Sequence, residues 1–168
     1  MTNCSFCEEI QAKIPEIYFE DETNQFVGMW EINPVRPGHT LLIPKRHVRL
    51  LSDLNERELQ SIAKAVVTLK QYIADTDLRS ICDMMLKKPV GPKSTEFIAQ
   101  AIDLLKKMDN RPPDAFNDGL NDGEAAGQTK DHLHWHIIPR WSGDVQDPRG
   151  GVRNMFPGLG NYHKGVQK

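Results

Sequence analysis

The stretch His132-Leu133-His134-Trp135-His136-Ile137-Ile138 alternates imidazoles with large apolar side chains and then meets Pro139. Alternation with period two belongs to a half-buried β-strand, in which every second side chain shares a face. The spacing predicts a strand over 132–138, with Leu133, Trp135 and Ile137 packed into a core. His132, His134 and His136 then line the opposite face, about 6.6 Å apart at roughly 3.3 Å per residue. The chain carries 6 histidines in all, and half of them fall here, more than a merely solvated strand face calls for.

Working upstream, Ile17-Tyr18-Phe19-Glu20 and Gln25-Phe26-Val27-Gly28-Met29-Trp30 flank Asp21-Glu22-Thr23-Asn24 and read as strand, turn, strand. His39-Thr40-Leu41-Leu42-Ile43 is a third strand, stopped by Pro44. Asn55-Glu56-Arg57-Glu58 has the form of a capping box. Behind it, Leu59, Ile62, Ala63, Val66, Val67 and Ile73 recur at the helical period. Residues 78–110 read as two more helices. One carries the stripe Leu78, Ile81, Cys82, Met85 and Leu86, ended by Pro89 and Gly91. The other carries Phe97, Ala101, Leu104, Leu105 and Met108, with Ser94 as its N-cap. Ala115-Phe116-Asn117 starts another strand, and beyond Pro139 the tail is rich in Gly and Pro. Strands, then helices, then strands imply an α+β domain with an antiparallel sheet. Neither G-x-G-x-x-G nor a P-loop is present.

A length of 168 residues fits one domain, and 39% hydrophobic with 26% charged residues fits a globular one. No apolar run approaches the roughly 20 residues that span a bilayer, so no membrane partner is expected. Met1-Thr2-Asn3-Cys4-Ser5-Phe6 lacks the basic start and apolar stretch of a secretory signal, so a cytoplasmic location is the expectation. A net charge of -2 gives no basic field for extended nucleic acid. An anionic ligand would have to be held by local groups, which favours a small phosphorylated molecule in a pocket.

Three aligned imidazoles admit two chemistries. Metal binding is one, although alternate positions on a strand are spread out and a cage needs convergent ligands from elsewhere. Nucleophilic attack on phosphorus is the other, since imidazole is largely deprotonated near pH 7. The glycine-punctuated loop Asn117–Thr129 before the strand could offer backbone N–H groups and amides to phosphate oxygens. Cys4-x-x-Cys7, taken alone, could equally be two small buried residues. Cys82 stands alone in a helical stripe, and three cysteines are too few for a disulfide framework.

These segments resemble the histidine triad (HIT) superfamily. His132-Leu133-His134-Trp135-His136-Ile137-Ile138 fits its His-φ-His-φ-His-φ-φ signature, with φ apolar. Asn121-Asp122-Gly123, Ala126-Gly127-Gln128 and Pro37-Gly38-His39-Thr40-Leu41-Leu42-Ile43-Pro44-Lys45-Arg46-His47 are similar to the same family. The likeness covers roughly residues 4–53 and 114–153. It implies a five-stranded antiparallel sheet with packed helices, a homodimer, and a nucleotide substrate such as a dinucleoside polyphosphate or nucleoside phosphoramidate. His134 would be the nucleophile that takes up a nucleotidyl group at the α-phosphorus, which water then removes. His136 would contact phosphate oxygens or the leaving group, and Gln128 and Asn121 would be phosphate-binding amides. Glu31 stands where the family usually has Asp or Asn on the ribose hydroxyls. Zinc-containing members use an N-terminal C-x-x-C, the histidine closing Ile-Pro-Lys-x-His and the first triad histidine. The corresponding residues here are Cys4, Cys7, His47 and His132, and a closed Cys₂His₂ set is a structural zinc site. Nucleotidyl transfer to phosphate, or a non-catalytic nucleotide-binding adaptor, are the alternative functions.

The chain departs from the family in the helical insertion over about 78–110, whereas the irregular tail over about 141–168 begins with a segment, 147–153, that resembles bacterial family members. The insertion could cap the pocket, enlarge a dimer contact, bind a partner or simply decorate the single domain 1–168. The tail segment Asp147-Pro148-Arg149-Gly150-Gly151-Val152-Arg153 offers Arg149 and Arg153 as candidate phosphate contacts. His39 is expected to serve an internal hydrogen bond, and His163 to be an exposed tail residue.

Overall fold

The computed structural model describes residues 4–14, 16–89 and 93–155, with Asn154 as backbone only. His163, the expected end of the second helical stripe at Gly91 and the tail beyond 155 lie outside the described residues. The strands β1 (Ile17–Glu20), β2 (Phe26–Trp30), β3 (Thr40–Pro44), β4 (Ala115–Gly119) and β5 (Trp135–Arg140) form one antiparallel sheet. Their order is β1-β2-β3-β5-β4. Among the described residues four α-helices accompany it: α1 (Ser5–Ala12), α2 (Glu56–Asp75), α3 (Leu78–Lys87) and α4 (Ser94–Lys107). This is the α+β, HIT-like architecture expected.

The alternation of β2 and β3 divides their side chains between two cores. Phe26, Trp30 and Leu42, with Leu133 and Ile137, face Leu69, Ile73, Leu78, Ile98 and Leu105 of α2, α3 and α4. Val27, Met29, Leu41 and Ile43 face the other way and pack on Phe6 of α1. Both strands are buried at every position, because each face has a lid. Burial of this kind stabilises a domain by about 25 cal/mol per Å² of apolar surface. The consequence for function is that α1 lies on the histidine face of the sheet.

Several expected boundaries shift for local reasons. The strand begins at Trp135 and not at His132. Pairing with β3 stops at Leu42↔Trp135, and the chain after Pro44 turns away. The Leu133 N–H therefore donates to the Val48 carbonyl at 2.7 Å. Pro139 is tolerated inside β5 because it lies past the end of β3 and pairs only with Phe116 of β4. The capping box is formed: Asn55 Oδ1 accepts the Glu58 N–H at 3.0 Å and Glu58 Oε2 accepts the Asn55 N–H at 2.8 Å. The buried stripe of α2 is Ala65, Val66, Leu69 and Ile73. Leu59 and Val67, read as part of it, are 49% and 67% exposed. Val67, two residues before Leu69, points to nearly the opposite side of the helix at 100° per residue. Ser94 is the first helical residue of α4 and not its cap; its Oγ donates to Asn33 Oδ1 at 3.3 Å. The helix α1 has no counterpart among the expected elements.

The segment leading to His39 is clamped from the helical side. Gly38 has φ 74°, and a Cβ there would come 2.8 Å from Leu78 Cδ2. Only glycine serves at such a turn, and the contact shows α3 packed directly on the loop between β2 and β3.

Candidate active site and metal centre

Cys4 and Cys7 bracket the first turn of α1, so a helix that starts between them presents both thiols to the sheet. His47 follows β3, and His132 precedes β5. One ligand atom from each of Cys4, Cys7, His47 and His132 lies within 4.8 Å of the others. Cys7 Sγ is 3.3 Å from His47 Nδ1 and 3.6 Å from His132 Nδ1, and Cys4 Sγ is 3.5 Å from His132 Nδ1. His132 Nε2–H donates to the Pro44 carbonyl at 2.9 Å, which leaves Nδ1 as a lone pair aimed at the thiols. A backbone carbonyl holding the far nitrogen of a ligating histidine is the usual outer support of a metal site. Burial and the neighbouring Cys4 push the Cys7 thiol up to about 11. A divalent cation would reverse that by stabilising the thiolate. Two soft sulfurs and two imidazoles suit tetrahedral zinc. Next to the cluster, Arg46 holds Glu58 with both oxygens, at 3.0 and 2.7 Å, and so ties the His47 segment to the start of α2.

The other two triad histidines have different surroundings. His134 is 7% exposed, and Phe6 stands edge-on to it at 5.5 Å and to His132 at 6.0 Å. His134 Nδ1–H donates to the His132 carbonyl at 2.9 Å. A carbonyl can only accept, so the proton is on Nδ1 and Nε2 carries the lone pair. His136 sits in β5 opposite Leu41 and Gly119. His39 Nδ1 accepts the Val35 N–H at 3.4 Å, so His39 Nε2–H donates to His136 Nδ1 at 3.0 Å. The chain of bonds leaves the remaining proton of neutral His136 on Nε2. Thus His39 has the internal hydrogen-bond role expected for it, and it sets the tautomer of His136.

Burial and the neighbouring imidazoles lower the pKa of His39 to about 3 and that of His136 to about 4, from the ordinary 6.5. A histidine whose pKa falls on folding is protonated more readily in the unfolded chain. Stability is therefore undiminished above about 6.5 and declines as pH falls toward the folded values. At pH 5 the loss is roughly 2 kcal/mol for each such histidine. Urea unfolding of His39→Gln should accordingly show a pH 7-to-5 loss about 2 kcal/mol smaller than the unsubstituted protein. Equal losses would show that His39 does not fold in its neutral form.

The glycine loop is stapled to residues 48–51. Gln128 Oε1 accepts the Gly123 N–H at 2.8 Å, and its Nε2 donates to the carbonyls of Arg49 at 2.9 Å and Lys130 at 3.0 Å. Asp122 Oδ1 accepts the Leu51 N–H at 3.0 Å, and Asn121 Nδ2 donates to the Gly127 carbonyl at 3.4 Å. The two amides expected on phosphate are thus engaged in shaping the loop. Beside it is an open cavity of about 530 Å³, whose lining includes Arg49, Gln128 and Lys130. Glu31 lies at the end of β2, where its Oε1 accepts the Asn33 N–H at 3.0 Å. Arg149 is exposed and paired with Asp147 at 2.8 and 3.0 Å, and Arg153 is exposed. Two contributors escaped the sequence reading. Phe6 had no visible periodic context, and the Lys130 ammonium, 5.9 Å from the Phe6 ring centroid and 3.3 Å from Ser5 Oγ, is set by tertiary packing.

Fold and site together define an α+β protein organised around a strand of alternating histidines, with a Cys₂His₂ cluster at its head. A HIT-domain family model matches residues 12–143. An uncharacterized HIT-like protein of Methanocaldococcus jannaschii is 30% identical, over 90% of this chain and 91% of its own. The adenosine 5'-monophosphoramidase of Saccharomyces cerevisiae is 25% identical, over 96% of this chain and 78% of its own. Among solved structures, a zinc-bound histidine triad family protein from Mycobacterium smegmatis superposes with a TM-score of 0.53 and 28% identity. That likeness covers 86% of this chain and 80% of the other. The chain belongs to the HIT family.

Proposed function

We propose that this protein is a nucleotide hydrolase that cleaves at the α-phosphate of dinucleoside polyphosphates or nucleoside phosphoramidates, through a covalent nucleotidyl-histidine on His134. Family membership and the named phosphoramidase relative support the substrate class. The observation that carries the mechanism is the His134 Nδ1–H bond to the His132 carbonyl. It fixes the nucleophilic tautomer, as a carboxylate does in a Ser-His-Asp triad.

In the first step the Nε2 lone pair bonds to the α-phosphorus and the bond to the leaving group breaks with its electrons on the departing group: a phosphate oxygen leaves as the anion, and a phosphoramidate nitrogen takes a proton from solvent and leaves as the neutral amine. The adduct has a proton on Nδ1 and phosphorus on Nε2, so the ring is cationic, and the His132 carbonyl stabilises that charge. In the second step water attacks the phosphorus, the P–N electrons return to Nε2, and the proton of water passes to solvent. His134 leaves as neutral imidazole, so its departure needs no acid. His136, neutral in the free protein at pH 7, offers Nε2–H as a hydrogen-bond donor to a phosphate oxygen. Glu31 is assigned to the ribose hydroxyls. Gln128 and Asn121 are assigned to the phosphate side through the loop they shape, and Arg149 and Arg153 to its outer margin.

Cys4, Cys7, His47 and His132 are assigned to a structural zinc ion, whose contribution is to fasten α1 and the His132 segment to the sheet. A homodimer fits the outer edge of β4, which pairs with no other strand among the described residues. No helix among the described residues is long and apolar enough to cross a membrane, and a cytoplasmic location completes the assignment.

The test is product analysis on diadenosine polyphosphates, adenosine phosphoramidate and nucleotide sugars, with and without inorganic phosphate. Release of nucleoside monophosphate without phosphate is expected. A nucleoside diphosphate formed only with phosphate would make the enzyme a phosphorylase, and no turnover of any substrate would overturn the reading.

A further inference from the structure

Lys130 stands two residues before His132, and the Gln128 side chain holds its backbone by donating to its carbonyl at 3.0 Å. Its exposed side chain faces two ways. The ammonium lies over the ring of Phe6, 5.9 Å from the centroid, and 3.3 Å from Ser5 Oγ. The same residue borders the open cavity of about 530 Å³ beside the glycine loop, together with Arg49, Gln128 and Thr129. Phe6 in turn meets the His134 ring at 5.5 Å. One aromatic ring therefore separates this ammonium from the proposed nucleophile, and the cavity begins at the lysine.

The charges around the cavity are not held alike. Arg49 pairs with Asp131 at 2.7 Å, but the two side chains are 57% and 75% exposed, so water screens the pair and exchange of partners costs little. Glu124 also lines the cavity. Lys130 makes no ion pair with any described residue; its contacts are a neutral hydroxyl and a ring face. An ammonium has three donors, so this one keeps its charge and spare N–H groups for an anion.

We infer that Lys130 binds the phosphates of the leaving group, so that the enzyme favours dinucleoside polyphosphates over nucleoside phosphoramidates; this rests on the nucleotide reading above. The two substrates share a nucleotidyl half and differ beyond the α-phosphorus. A phosphoramidate ends there in a nitrogen, which leaves as the neutral amine and offers an ammonium no anion. A polyphosphate runs on past the Phe6 ring to the ammonium and the cavity. When its P–O bond breaks, the electrons pass to the bridging oxygen of the departing phosphate, and Lys130 offsets the charge gathering there. A hydrogen bond between charged groups of this kind is worth roughly tenfold to a hundredfold.

The experiment measures kcat/KM for diadenosine tetraphosphate and adenosine phosphoramidate in the unsubstituted protein, Lys130→Ala and Lys130→Arg. Titration with inorganic tripolyphosphate and with AMP adds a readout that needs no turnover, and thermal unfolding verifies that the variants fold. The tetraphosphate should have the higher kcat/KM in the unsubstituted protein. In Lys130→Ala the ratio of the two kcat/KM values should fall by tenfold or more, and tripolyphosphate binding should weaken at least tenfold more than AMP binding. Lys130→Arg, which keeps the charge, should retain most of the ratio. A loss shared equally by both substrates would mark Lys130 as a packing residue. That result, an unmoved ratio, or a higher kcat/KM for the phosphoramidate in the unsubstituted protein overturns the role of Lys130 and leaves the nucleotide reading standing. Turnover of neither substrate, with no binding of AMP, overturns both.

Discussion

Replacing His134 by alanine is expected to lower kcat by roughly 10⁴-fold or more, with a chain that still folds and still binds nucleotide. The size follows from the role. Removing a group that forms the covalent intermediate leaves only binding and hydrogen-bond stabilisation, whereas removing a donor such as His136 forfeits one contact, worth roughly 10²–10³. His134 also packs under Phe6, so a modest loss of thermal stability is expected, and KM should change little beside kcat. Circular dichroism and nucleotide titration separate misfolding from lost chemistry. A folded His134→Ala enzyme with kcat within tenfold of the original would remove His134 from the nucleophilic role.

Substituting Cys7 by serine should abolish zinc binding and lower Tm by roughly 8–16 °C in zinc-containing buffer. Metal present at a thousand times its Kd stabilises the folded state by about 4 kcal/mol, and in a chain of this size each kcal/mol moves Tm by roughly 2–4 °C. The effect should reach the chemistry as well. His132 belongs to the Cys₂His₂ cluster through its ring and accepts the His134 Nδ1–H through its carbonyl. Cys7→Ser is therefore expected to lower kcat more than a remote substitution of equal thermal cost, such as one in the exposed part of α2. Elemental analysis alongside thermal unfolding checks the first part. Unchanged Tm with and without chelator, in a protein that contains no zinc, would remove the metal from the site.

Much of this was legible in residue spacing. Period-two alternation at 132–138 placed Leu133 and Ile137 in the core, and Asn55 with Glu58 marked the start of α2 to the residue. The ligand set was legible only through family likeness, because Cys4 and His132 are 128 positions apart and nothing local links them. What the sequence could not show was set by tertiary packing. The short helix α1 has too few turns for a periodic signature. The departure of the chain after Pro44 decides that β5 begins at Trp135, a pairing effect with no local signal. The commitment of the Gln128 amide to three backbone groups and the bond from His39 to His136 likewise depend on segments brought together by the fold.

The covalent step can be observed directly. The protein is mixed with a slowly cleaved dinucleoside polyphosphate or phosphoramidate, quenched in neutral denaturant to preserve the P–N bond, and its intact mass and peptides are measured. A nucleotidyl group is expected on the peptide bearing His132–His136, fragmenting to His134, and absent from His134→Ala. Steady turnover with no adduct at any time point, or an adduct on a different residue, would contradict nucleophilic catalysis by His134.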